Sequence, residues 1–218
     1  MKTFTNSLLI AIFSSVILTS CGKDKPVTSE TNEVSTSKEG MVYEIDTLSS
    51  RIEWKGYKIV KSDQTGHFGT INFESGDLTI HNGVLESGKF VADMNSLTSV
   101  DLKDDAEQLA KLESHLKSGD FFETEKYPTA SYEITKVSKN ATGDYNTLLD
   151  GNLTIKGITK PIQFNANVSI KDGAASIATE PKDISREGFN VKFQMPIANG
   201  VVKDDVNLQI LIKATEKK

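Results

Sequence analysis

Cysteine occurs once in the 218 residues, at Cys21, so the chain alone can form no disulfide, thiolate metal cluster or redox pair. Histidine occurs three times, and His67, His81 and His115 stand in no HExxH, nucleophile-elbow or glycine-rich phosphate-loop context. No catalytic residue, metal ligand or cofactor is therefore assigned, and the chain is read as a non-enzyme. Basic residues are outnumbered 25 to 30 by acidic ones, which leaves a net charge of -5. A nucleic-acid partner needs the opposite balance, a basic stripe that displaces counterions. No apolar run reaches the ~20 residues of a membrane-spanning helix.

The apolar run that is present, Leu8 to Leu18, follows Lys2 and ends in Leu18-Thr19-Ser20-Cys21. A short apolar stretch behind a basic residue is an export signal, and "LTSC" resembles a lipobox. That resemblance implies cleavage before Cys21 and diacylglycerol on its sulfur. The product is an exported lipoprotein, anchored to a membrane at its periplasmic face or on the cell surface. Residues 21–40 are then the lipidated cysteine and a Ser, Thr and Glu-rich flexible tether with little to bury. One domain, residues 41–218, remains.

Within it, apolar and polar residues alternate with period two, and Gly, Asn and Asp punctuate the runs. Ile52, Trp54 and Gly56 share one face, and so do Gly69, Ile71 and Phe73. Gly88, Phe90, Ala92 and Met94 follow after the Asn82-Gly83 pair, a hairpin signal because both residues tolerate positive φ. Ala130, Tyr132 and Ile134, then Leu149, Gly151, Leu153 and Ile155, then Ile162, Phe164, Ala166, Val168 and Ile170, continue the pattern, and Val206 to Ala214 closes it. Roughly eight strands, each apolar on one face, make a closed barrel or a sandwich. Inward Gly56, Gly69, Gly88 and Gly151 favour the barrel, since such glycines mark bends or clear space for a ligand.

One segment departs from this rhythm. Leu102, Ala106, Leu109, Leu112 and Leu116 recur at three and four residues, the stripe of an amphipathic helix. Asp104 and Asp105 suit its N-terminal end, Lys117 and His115 its last turn, and Gly119 its stop. His81, before the turn, reads as a surface residue, and Asp204-Asp205 as a solvated turn.

Two stretches are specific. "HLKSGDFFETEKYP" (115–128) and "DGNLTIKGITKP" (150–161), with "WKGYK" at Trp54 to Lys58, closely resemble the YceI-like proteins, exported lipocalin-like barrels that bind polyisoprenoids. The resemblance implies an all-β, antiparallel, lipocalin-like β-barrel with one inserted amphipathic helix, over about 41–218. Ser49 stands where many members have histidine, and the Ile184-Ser185-Arg186-Glu187-Gly188-Phe189 run retains only the arginine of an Asp-Arg-Thr pattern.

The expected ligand is a polyisoprenoid, an isoprenoid quinone or a similar long apolar lipid, held by a carrier or storage protein. The other reading is a structural or stress-protective surface protein whose barrel is filled by its own side chains. The residues expected to face a ligand are Trp54, Gly69, Phe73, Phe90, Tyr132 and Phe164 on the strands, with Phe121 and Phe122 at the helix end. Phe189 and Arg186 complete the set, the arginine meeting either a head group or a surface carboxylate. Phe121 and Phe122 have two readings, a plug closing the core or the rim of a cavity.

Overall fold

A computed structural model describes residues 29–34, 39–140 and 143–217. The export signal, Cys21 and the rest of the expected tether lie outside the described residues. The strands are β1 (Met41–Ile45), β2 (Arg51–Val60), β3 (Asp63–His81), β4 (Val84–Asp93) and the two-residue β5 (Thr98–Ser99). Helix α1 (Ala106–Lys117) follows, then β6 (Thr129–Lys139), β7 (Thr147–Ile155), β8 (Ile158–Lys171), β9 (Ala174–Thr179), β10 (Lys182–Ser185) and β11 (Gly200–Glu216).

All pairings are antiparallel. In the sheet β2, β3, β4, β6, β7, β8, β9 and β11 neighbour one another in that order. The ring closes because β11 pairs with both β9 and β2. Closure removes the sheet edges that would otherwise be left open to aggregation. Strand β1 lies in line with β2, pairing β11 at Tyr43 and β3 at Met41. In the same way β10 extends the lane of β9 along β11.

Three two-residue hairpin turns have both residues at positive φ, namely Asn82-Gly83, Lys156-Gly157 and Asp172-Gly173. That geometry matches the twist of the flanking strands. They put the two barrel ends in order. The β3–β4 and β8–β9 turns stand at one end, called here the floor. The β2–β3 and β7–β8 turns stand at the other, the mouth, together with α1 and residues 186–199.

The fold class expected from alternation and resemblance is the one found, with several differences in detail. β3 runs on for 19 residues, past the Gly69 to Phe73 stretch, because a bulge between Phe73 and Ser75 interrupts the register without ending the strand. Asp204 and Asp205 lie in β11 at the register shift between Val202 and Val206, not in a solvated turn. Helix α1 starts at the Asp105 cap, whose carboxylate accepts from the Gln108 N–H, and ends at Ser118, one residue before Gly119. His81 is exposed at the end of β3.

The floor half of the interior is full. Phe73 and Phe90 meet edge to face at 6.1 Å, and Tyr132 meets Phe164 the same way at 5.5 Å. Phe164 and Ala166 are wholly buried among Ile134, Leu149 and Leu78. The Tyr132 hydroxyl donates to the carbonyls of Leu149 and Ile162, and burial pushes its phenol well above the ordinary value.

Candidate ligand cavity

The mouth half is built differently. A cavity of about 340 Å³ opens there, in the lower part of the range for small-molecule sites. From β2 come Ile52, Trp54 and Gly56, from β4 Ala92, and from β7 Leu153 and Ile155. Ile71, Met94 and Leu97 also line it. A Cβ added at Gly56 would meet no heavy atom within 4 Å, so this glycine faces open space.

The other three inward glycines are occupied by the protein itself. A Cβ on Gly151 would come within 2.3 Å of the Tyr132 ring, and one on Gly88 within 2.9 Å of Leu78. At Gly69 the obstacle is backbone, since the carbonyl of Thr98 in β5 would lie 1.9 Å away. Gly69 therefore admits a crossing strand and not a ligand.

Helix α1 and the chain after it roof the cavity. Leu112 and Leu116 line it from the helix, yet no residue of α1 is fully buried. Phe121 and Phe122 follow, Phe121 buried and Phe122 half-buried, and both line the cavity. Phe121, His115 and Phe193 form a ring cluster with centroid separations of 4.7 to 5.0 Å. His115 also lies 3.1 Å from the Asp120 carboxylate through Nε2.

The two specific stretches of the sequence meet here. Lys156, in the β7–β8 turn, donates to the Phe121 carbonyl at 2.8 Å and stands 3.7 Å from Glu123. Gly157 lies under the Tyr127 ring. Although their residues are far apart in the chain, the motifs are two halves of one corner of the mouth.

A second fastening holds the roof to β3. Asp101, between β5 and α1, accepts from the Phe68 N–H, from Ser99 Oγ and from His67 Nδ1, all between 2.7 and 2.9 Å. Partial burial raises its pKa, but these three bonds outweigh it and hold the carboxyl below its ordinary value.

The remaining wall is the segment after β10. Phe189 and Val191 are buried against the cavity, and Phe193, Met195 and Pro196 continue it outward. Arg186 anchors this segment. Its guanidinium donates to the carbonyls of Lys203 (3.0 Å), Val202 (3.1 Å) and Val191, with Glu187 3.8 Å away. At 4% exposure it borders the cavity as a backbone clamp, meeting neither a surface carboxylate alone nor open solvent. The basic side chains lining the cavity are Lys58, His67, His115, Arg186 and Lys203, and no carboxylate lines it. Lys203 lies over the Tyr57 ring at 5.8 Å.

Of the residues expected to face a ligand, Trp54, Phe121, Phe122, Arg186 and Phe189 border the cavity. Phe73, Phe90, Tyr132 and Phe164 belong to the packed floor. Trp54 carries the one buried side-chain donor found without a partner among the described residues, its indole Nε1. Ser49, at the position where histidine was expected, donates through Oγ to the Asp46 carboxylate at 2.6 Å and does not line the cavity. Phe193, Met195 and Lys203 were not anticipated, since they lie in or beside a segment without periodicity. Among the described residues no group of three or more His, Cys, Asp or Glu side chains is placed to hold a metal.

A closed antiparallel barrel with a filled floor and a helix laid across an apolar mouth defines a lipocalin-like barrel. The chain belongs to the YceI-like family, whose domain matches residues 43–214. It is 33% identical over 176 residues to a UPF0312 protein of Shewanella baltica strain OS155, covering 78% of this chain and 82% of that one. Among solved structures it is similar to Burkholderia cenocepacia BcnA, with a TM-score of 0.60 and 19% identity, over 78% of this chain and 99% of the other. It is also similar to a polyisoprenoid binding domain from Saccharophagus degradans implicated in plant cell wall breakdown, with a TM-score of 0.55 and 14% identity over 81% and 99%. At those identities the two structures establish the shared fold.

Proposed function

We propose that this protein is a lipid-anchored binding protein that takes up part of a polyisoprenoid, or a similarly long apolar chain, in the mouth cavity and carries or stores it without covalent chemistry. The observation that carries this reading is the contrast at the mouth. An apolar cavity of about 340 Å³ is left open in a barrel whose floor is packed to completion. A barrel serving only as a structural body has no reason to leave it unfilled, because each unfilled void forgoes packing.

The roof suits reversible entry. Helix α1 contributes half-buried leucines and no fully buried residue, so lifting it exposes little apolar surface. Each isoprene unit withdrawn from water is worth about 4 kcal/mol, five carbons at ~0.8 kcal/mol each. A bilayer offers the same gain, so transfer between membrane and barrel is near neutral, as exchange requires. The basic rim formed by Lys58 and Lys203 suits a polar end left at the opening. Membrane attachment through Cys21 rests on the "LTSC" sequence.

Native mass spectrometry on protein purified from its own bacterium tests the ligand. The expected spectrum shows a non-covalent adduct with the mass of a long-chain lipid, and protein that is uniformly free of adduct counts against the carrier. Cys21→Ser tests the anchor, with transfer from the membrane to the soluble fraction as the expected result.

A further inference from the structure

Ser29 to Val34 fall within the stretch expected to be a flexible tether, yet they lie on the barrel wall. Ser29 Oγ accepts from the Thr159 N–H at 3.0 Å, and the Glu30 N–H donates to the Thr159 carbonyl at 2.7 Å. Two residues on, Asn152 of β7 clasps the backbone of Asn32. Its Oδ1 accepts from the Asn32 N–H at 2.9 Å and its Nδ2 donates to the Asn32 carbonyl at 3.0 Å. The side-chain amide thus imitates a ladder partner for one residue of an added strand. Asn152 alternates with Leu153 and so points away from the barrel interior, but it is 9% exposed.

The position of this strap along the barrel is what matters. Thr159 follows the Lys156-Gly157 turn at the mouth, and Asn152 pairs with Pro161, further from the mouth than Thr159. Followed toward the N-terminus, the strap therefore runs toward the mouth. Met41, where the chain enters the barrel, pairs with Ile80 beside the Asn82-Gly83 turn at the floor.

We infer that the mouth is the membrane-facing surface of the protein and that the Ser29–Asn32 strap holds it there. This inference rests on the proposed anchor at Cys21. Eight residue steps separate Cys21 from Ser29, a reach of at most about 26–29 Å when fully extended. Twenty steps separate Cys21 from Met41, about 66–72 Å, so an undocked segment would leave the barrel free to present either end. Docked, the short leash leaves from the mouth. Exposed apolar residues do not settle the orientation, because Ile197 and Val201 stand at the mouth while Met41 and Val84 stand at the floor. The strap makes the choice, and the lipid surface is the partner. The cavity then opens toward the bilayer from which its ligand comes.

The test is amide hydrogen exchange on the native lipoprotein reconstituted in phosphatidylcholine vesicles, with the soluble Cys21→Ser chain as reference. On vesicles, amides of residues 192–201 and of the Lys61 turn are expected to exchange more slowly, while the Asn82-Gly83 and Asp172-Gly173 turns stay unchanged. The double variant Glu30→Pro/Asn32→Pro lies outside the barrel and removes both the N–H that bonds Thr159 and the N–H held by Asn152, and it should abolish the protection at the mouth. Protection at the floor turns, equal exchange at both ends, or mouth protection that persists in Glu30→Pro/Asn32→Pro would each overturn the inference. Intact mass separates this from the anchor. If Cys21 carries no acyl chains, the anchor proposal fails, and coupling the single thiol to a maleimide lipid still reads the orientation. A chain that docks mouth-down yet copurifies with no lipid would refute the carrier and leave the orientation standing.

Discussion

Floor and mouth are made by opposite ends of the same strands, and they solve the problem of a barrel interior in different ways. At the floor, space cleared by a glycine is taken up by a neighbour, as when the Tyr132 ring lies over Gly151. At the mouth, Gly56 clears space that nothing takes up. At the floor each large side chain meets others of its own strands, whereas at the mouth the covering groups come from α1 and residues 186–199. The walls of the cavity therefore belong to the strands and its roof to segments fastened by a few polar contacts. Stability should reside in the first region and ligand access in the second.

The largest effect that would sharpen this contrast is expected from Phe164→Ala. Removing a wholly buried ring from the packed half should cost about 3–5 kcal/mol, read as a lower denaturant midpoint with unchanged slope. The double variant Phe121→Ala/Phe122→Ala removes two rings at the mouth and should cost less than that single change, while weakening ligand binding. A larger loss of stability in the double variant would reassign the pair to a core plug.

Glycines give a smaller and cleaner comparison. Gly151→Ala drives a methyl group into the Tyr132 ring and should destabilise by about 1–3 kcal/mol, as overpacking does. Gly56→Ala meets no atom and should be neutral or stabilising by up to about 1 kcal/mol. Equal effects at the two positions would erase the distinction between floor and mouth.

The smallest effect concerns pH. Asp101 is held below its ordinary value of 3.8, so its contribution is complete above the unfolded pKa and is lost as pH falls through the folded one. Between pH 5.5 and pH 3 the wild-type midpoint should therefore fall more steeply than that of Asp101→Asn. Parallel curves would show that the carboxylate does not help to hold the roof.

Much of the barrel was legible because alternation is a local signal, and each strand with a bulky apolar face declared itself. Strand β9 did not, since its inward face is Ala175, Ile177 and Thr179, two of them small. Strands β1 and β10 are too short to display a period. For the cavity, alternation separated inward from outward but not floor from mouth, which is why Phe73, Phe90, Tyr132 and Phe164 were grouped with Trp54. Height along a barrel depends on strand register, and register is set by partners remote in the chain. Gly69 shows the same limit, because the β5 backbone that fills its space arrives from Thr98 and Ser99. The strap is a third case, since a polar segment without apolar residues to bury docks through backbone bonds that its composition does not display.

Filling the open half without touching the packed half tests the account most directly. Gly56→Phe places a ring in the cavity at a position with free space around it, next to Trp54, the single tryptophan. Wild-type protein and this variant should be titrated with a long-chain polyprenol while Trp54 fluorescence is followed, after denaturation has shown that both fold equally well. The wild type should give a saturable change in fluorescence, and Gly56→Phe should give none. Undiminished saturable binding by the variant, or no binding by the wild type, would contradict the claim that the mouth cavity is the ligand site.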